Sequence, residues 1–110
     1  MRVRFRIKSG TCGFETKGHA SSEDGQHVHW EIESDCEKIR LLSRGIDEKG
    51  PLDAYEELSP TGESRLLAHC RAQLRGGCSG CLVPIGLFKS MQAAAGLALP
   101  TSSHIEISGE

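Results

Sequence analysis

HVHWEIESDCEKIRLLSRGI, residues 27–46, changes its hydrophobic period partway along, and that change decides the fold. In its first half Val28, Trp30 and Ile32 alternate with His27, His29, Glu31 and Glu33, the pattern of a strand with one face buried and one in water. From Ser34 onward the spacing becomes helical: Ser34 and Glu37 stand as a capping box, and Ile39, Leu41 and Leu42 begin an apolar stripe that ends near Gly45. A strand that runs directly into a helix must bury the apolar faces of both in one core, so the chain mixes a sheet layer with a helical layer.

Upstream, MRVRFRIKSG repeats the alternation, with Val3, Phe5 and Ile7 on one side and Arg2, Arg4, Arg6 and Lys8 on the other. Ser9-Gly10 marks a turn, CGFETKGHA (12–20) a second extended run, and SSEDGQ (21–26) a loop, which together predict a three-stranded meander. Downstream, Pro51 suits the first position of a short helix through Tyr55 and Leu58, with Ser59-Pro60 as its stop. Glu63 to Leu74 is predicted helical because Leu66, Leu67, Cys70 and Leu74 share a face, and Gly76-Gly77 ends it. Pro84 opens a further helix with Ile85, Phe88, Met91, Gln92 and Ala95 as its apolar side, ending at Gly96. The last segment, SHIEIS (103–108), alternates as a strand and is expected to return to the sheet. The predicted fold is a single α+β domain over residues 1–110, in two layers. Its antiparallel sheet comprises the N-terminal meander and a C-terminal strand, with about four helices on one face.

Thirteen basic and 15 acidic residues leave a net charge of −2, which gives no overall pull toward nucleic acid or an anionic membrane. The arginine ladder of the first strand reads as a solvated face, kept from edge-to-edge aggregation by its charge, because stacking aromatics are scarce. AAAGLALP is too short to span a bilayer, and the charged start lacks the apolar core of a secretory signal, so a cytoplasmic protein is expected. A protein partner is compatible with this composition and is not specified by it. Five cysteines in so small a chain are many for a reducing compartment, where closely spaced thiols favour metal or redox work over bridges.

The densest signal is GGCSGCLVP, residues 76–84. Two cysteines two apart can aim both sulfurs at one point if the backbone turns tightly, and Gly76, Gly77 and Gly80 permit that turn. A helix begins just after the pair, so its positive end favours thiolate over thiol. A second C-x-x-C is lacking, and the remaining ligands must come from Cys36, in the first turn of the capped helix, and Cys12, at a strand edge beside Gly13. Cys12, Cys36, Cys78 and Cys81 would then form a four-thiolate site for zinc or an iron–sulfur cluster, which these spacings do not distinguish. Cys70 lies on the leucine stripe of its helix and reads as core. His27 and His29 point to one side of a strand and are alternative ligands, as is His69. However, a polar face running into Glu31 and Glu33 opposite the arginine ladder explains the first two more simply. Two other readings stand beside the metal site: a dithiol/disulfide oxidoreductase using Cys78 and Cys81, and a plain interaction domain with buried thiols. No phosphate-cradling glycine loop, Gly-x-Ser-x-Gly elbow or H-E-x-x-H is present, and Ser, His and Asp show no triad spacing.

SGTCGFETK (9–17), IESDCEKI (32–39) and CLVPIGLFKSMQAAAGLALP (81–100) resemble the signature segments of a small uncharacterised cysteine-bearing protein family of anaerobic bacteria and archaea. The resemblance covers most of the chain and implies roles for Cys12, Cys36 and Cys81, with Cys78 as their neighbour and Cys70 outside the set. More loosely, the order of strand, cysteine-led helix and later cysteine turn is similar to the cysteine-rich terminal domain of some ribonucleotide reductases. The Pro-Gly-Asn that follows that domain's first cysteine is Glu37-Lys38-Ile39 here, and its Ser-Cys-Pro-Asp turn is missing, which leaves a thiol-metal analogy and no reaction.

Overall fold

In the computed structural model, which describes residues 1–59 and 62–110, the period-two segments are strands: β1 (Arg2–Lys8), β2 (Glu15–Ser21) and β3 (His27–Ser34). They pair antiparallel in chain order, with Val3 opposite Ala20 and Ala20 opposite Trp30, so one apolar row runs across the sheet. Val3, Ile7, Ala20, Val28 and Trp30 are buried on that row. The opposite face stays in water, and its charges pair differently from the expected cross-strand match. β2 lies between the arginine ladder and β3, so Arg6 meets Glu15 on β2 at 3.1 Å, while Arg2 reaches over β2 to Glu31 at 3.6 Å.

The α+β, four-stranded architecture is as the sequence predicts, but the fourth strand is a different one. Residues 103–108 form no strand and are exposed; the sheet is completed instead by β4 (Leu52–Asp53), which pairs with Val28 and His27. The reason is local chemistry. Leu52 is buried against the sheet, and the Asp53 carboxylate accepts the backbone N–H groups of Tyr55 and Glu56, at 2.9 and 3.3 Å. That makes Asp53, and not the residue before Pro51, the cap that starts α2 (Ala54–Glu57). Pro60, read as the stop of this helix, lies outside the described residues.

The first helix, α1 (Glu37–Lys49), runs past Gly45. Gly45 is not a terminator but a contact point: a Cβ there would collide with the imidazole of His69 on α3 (Arg65–Gln73), and His69 Nε2 is bonded to the Leu42 carbonyl at 3.0 Å. The capping box is also rearranged. Cys36 is the N-cap, and Ser34 Oγ instead accepts the Cys36 N–H at 3.1 Å while bonding Thr16 Oγ1 at 2.8 Å. The last helix, α4 (Val83–Ala94), lies on β1 and β2, with the Gly86 backbone resting on the Ile7 side chain, and carries Pro84 in its first turn as expected. Its buried face is Val83, Leu87, Met91 and Ala94, leaving Ile85 exposed. Trp30 closes the core by donating its indole N–H to Ser90 Oγ at 3.1 Å, and Ser90 in turn donates to the Leu87 carbonyl.

The turn between β2 and β3 is held by Asp24, whose carboxylate meets His27 Nδ1 at 2.7 Å and also accepts the backbone N–H groups of His27 and Gln26. These bonds, the His27 side chain first, hold the Asp24 carboxyl well below the usual carboxylate range, and the same side-chain bond raises His27 above 6.5. The sign follows from each shift. The Asp24 contribution is present above about pH 4 and is lost as pH falls through its depressed value. The His27 contribution is present below about pH 6.5 and is lost as pH rises through its raised value. Titration of His27 by NMR is expected to give a midpoint above that of a free histidine, and Asp24→Asn is expected to return it to the ordinary value; an unmoved midpoint in the variant refutes the pairing.

Candidate functional site

The strand register carries the cysteines toward one end of the sheet. Lys8 is opposite Glu15 and Thr16 opposite Ser34, so the β1–β2 turn bearing Cys12 and the exit of β3 into Cys36 leave from the same end of the sheet. That turn is closed by Gly13 N–H to the Gly10 carbonyl at 2.9 Å, and both glycines have positive φ, 78° at Gly10 and 73° at Gly13, which suits residues without a Cβ. The second pair arrives from the other direction. After α3 a single 3-10 turn, Gly76–Cys78, leads into Ser79, Gly80 and Cys81, and the Cys81 N–H bonds the Cys78 carbonyl at 3.1 Å.

Two contacts tie this knuckle to the sheet end. Lys38 on the first turn of α1, two residues past Cys36, donates to Cys78 Sγ at 3.4 Å. Ser9, at the start of the turn that bears Cys12, has its Oγ 3.9 Å from Cys81 Sγ. Cys36, Cys78 and Cys81 are half-buried against the core, and Cys12 is exposed. The four predicted ligands thus share one end of the molecule. Among the described residues, no group of three or more His, Cys, Asp or Glu side chains stands already arranged around a common point for a metal.

The fifth thiol behaves differently. Cys70 is fully buried on α3 between Leu66 and Leu74, and that burial, with Cys81 nearby, pushes its thiol up to about 12. It is a core residue, as its place on the leucine stripe implies. His27 and His29 open β3, at the end opposite Cys36, and His69, which precedes Cys70 on α3, is engaged with the Leu42 carbonyl of α1.

The helix ends sort into two kinds. Asp53 caps α2, and Ser64 and Glu57 cap α3; Cys36 and Leu82, the N-caps of α1 and α4, make no side-chain cap bond. The two helices without side-chain caps are the ones whose starts carry the cysteines, with Cys36 at one cap and Cys81 immediately before the other. Cys36 thus stands at one helix start, and Cys81 just before the other, where the first backbone N–H groups have no side-chain cap. The sequence signals the C-x-x-C, but neither Lys38 nor Ser9 carries any pattern that separates it from an ordinary surface residue.

Among the described residues no helix is long and apolar enough to cross a membrane. No curated protein and no solved structure matches the chain significantly. A family of unknown function, DUF6951, matches residues 3–107, which is nearly the whole of the sheet, the helices and all five cysteines, and the chain belongs to that family.

Proposed function

We propose that this chain is a small metal-binding module of the cytoplasm in which Cys12, Cys36, Cys78 and Cys81 hold one zinc ion or one iron–sulfur cluster, as a structural, electron-transfer or metal-carrying centre. The observation that carries this reading is the gathering of these four thiols at one sheet end against two helix starts that lack side-chain caps. Metal-bound thiolates are good acceptors for backbone N–H groups, so a loaded site would supply the caps that α1 and α4 lack. Closing it would require rotation of the half-buried side chains and a swing of the exposed Cys12 turn about Gly10 and Gly13. A core of mostly Leu, Ile, Val and Ala, with aromatics at 5% of the chain, also gains from a staple that joins the β1–β2 turn to both helices. The likeness to cysteine-bearing proteins of anaerobes agrees with this, because reducing conditions keep thiols free for metal.

Elemental analysis and the visible spectrum of protein purified without oxygen test the proposal. Zinc near one per chain in colourless protein, or iron with sulfide in brown protein, is the expected result. Cys81→Ser should lose most of the metal, whereas Cys70→Ala should keep it. Protein that takes up neither metal, with Cys81→Ser indistinguishable from the parent, refutes it. A dithiol couple is the second reading, favoured by the tight Cys78–Cys81 turn beside Lys38. It predicts metal-free protein that loses two hydrogens reversibly to a disulfide-bearing oxidant, seen by mass after alkylation.

A further inference from the structure

Beyond the thiol end, the exposed tail and the open edge of the sheet match each other. β1 is the outer strand of the order β1-β2-β3-β4 and, among the described residues, has a strand partner over Arg2–Lys8 on one side only. Its side chains offer Val3, Phe5 and Ile7 to the helical face and Arg2, Arg4, Arg6 and Lys8 to water. Every residue from Gly96 to Glu110 is exposed, with Ile105 at 63% and Ile107 at 93%. That tail alternates Ile105 and Ile107 with His104, Glu106 and Ser108, and holds Glu106 and Glu110 but no lysine or arginine.

We propose that residues 104–108 of one copy add as a strand to the β1 edge of a second copy, and reciprocally, giving a tail-exchanged dimer. In that pairing Ile105 and Ile107 extend the apolar row of Val3, Phe5 and Ile7, on the side where α4 leaves Ile85 exposed one residue from the Gly86 that rests on Ile7. Glu106 falls among the arginines on the other face. Direct β1-to-β1 pairing would set arginine against arginine, so the edge refuses itself and admits an acidic strand.

Length permits either edge, and in the structure the tail leaves its own edge unpaired. The carbonyl of Ala95, just past the end of α4, lies beside Gly25 in the β2–β3 turn, at the end of the sheet where β1 begins. An extended chain covers roughly 33 Å between Ala95 and Ile105, whereas β1 spans roughly 23 Å. A tail folding back directly would set residues 97–103 along β1, a stretch that contains Pro100 and lacks alternation.

Light scattering during size exclusion across a concentration series tests this on the full chain. The parent is expected to be dimeric. Truncation after Thr101, Ile105→Asp, and Arg4→Glu should each raise the dimer dissociation constant by about tenfold or more. Glu106→Arg should weaken the dimer alone and recover it with Arg4→Glu. A monomer at all concentrations, or a dimer indifferent to the truncation, overturns the proposal. So does a monomer whose β1 amides are protected from exchange only while the tail is present, since that places the tail on its own edge.

Discussion

Replacing Glu57 by alanine is expected to lower the unfolding free energy by about 3 kcal/mol, the cost of losing a buried charged acceptor that serves several donors. Glu57 ends α2 and is only 7% exposed, an unusual place for a carboxylate. Its oxygens take the N–H groups of Arg65 at 2.8 Å and Leu66 at 2.7 Å, and the Ser64 hydroxyl at 3.1 Å. Ser64 Oγ accepts the Leu67 N–H, and the Ser64 carbonyl accepts that of Ala68. With those bonds each of the first four N–H groups of α3 is satisfied, two of them by Glu57. Alanine leaves those two without a partner inside the protein and removes negative charge from a positive helix end. Glu57→Gln should recover about half of the loss, because one amide oxygen can still serve Leu66 and Ser64 while the amide nitrogen faces the Arg65 N–H as donor against donor. Urea unfolding followed by Trp30, the single tryptophan and a buried one, measures both. A loss under about 0.5 kcal/mol for alanine would mean that water replaces the carboxylate at no cost, contrary to its burial.

What the sequence discloses and what it hides follow from how local each signal is. β1 and β3 are legible because each has one wet and one dry face, and alternation is the direct imprint of that. The face of α4 is not, since VPIGLFKSMQAA is apolar at too many positions to define one stripe, and only contact with β1 and α3 selects Val83, Leu87 and Met91 over Ile85. SHIEIS has a strand's local pattern, but a strand exists only when another backbone pairs with it, and that is decided elsewhere in the chain. Leu52–Asp53 is the converse case: two residues cannot show a period, yet they complete the sheet because β3 has an edge to fill. The thiols divide in the same way. Spacing identifies the Cys78 and Cys81 turn, and the leucine stripe identifies Cys70 as core, whereas the contacts of Lys38 and Ser9 with the sulfurs span 40 and 72 positions and leave no trace in composition. The buried role of Glu57 is hidden for the same reason, because a glutamate in a short helix is ordinarily a surface residue.

Gly18→Ala should cost about 3 kcal/mol, at the upper end for a one-carbon addition, because the added atom meets backbone and not a movable side chain. Gly18 sits mid-strand in β2, with Phe5 opposite on β1 and Ile32 opposite on β3. A Cβ at that position would fall on the carbonyl oxygen of Glu31 and within 3.1 Å of the Phe5 ring. The ring can turn, but the carbonyl belongs to a strand paired with β2 from Thr16 to Ser21, so relief requires the two central strands to separate where the sheet carries its apolar row. Neither strand can slip by one residue instead, since that would carry Ala20 and Trp30 to the wet face. The expected loss is net of an opposing gain: glycine to alanine stiffens the unfolded chain and by itself stabilises by about 0.4–1 kcal/mol. Gly77→Ala isolates that gain, because a Cβ there meets nothing within 4 Å and the residue has no positive φ. Equal midpoints for the two alanine variants in urea would show that β2 stands off from Glu31 in solution. A lower midpoint for Gly18→Ala with Gly77→Ala at or above the parent locates the cost at the contact between these two strands, which is why glycine stands there in a strand otherwise free to carry a side chain.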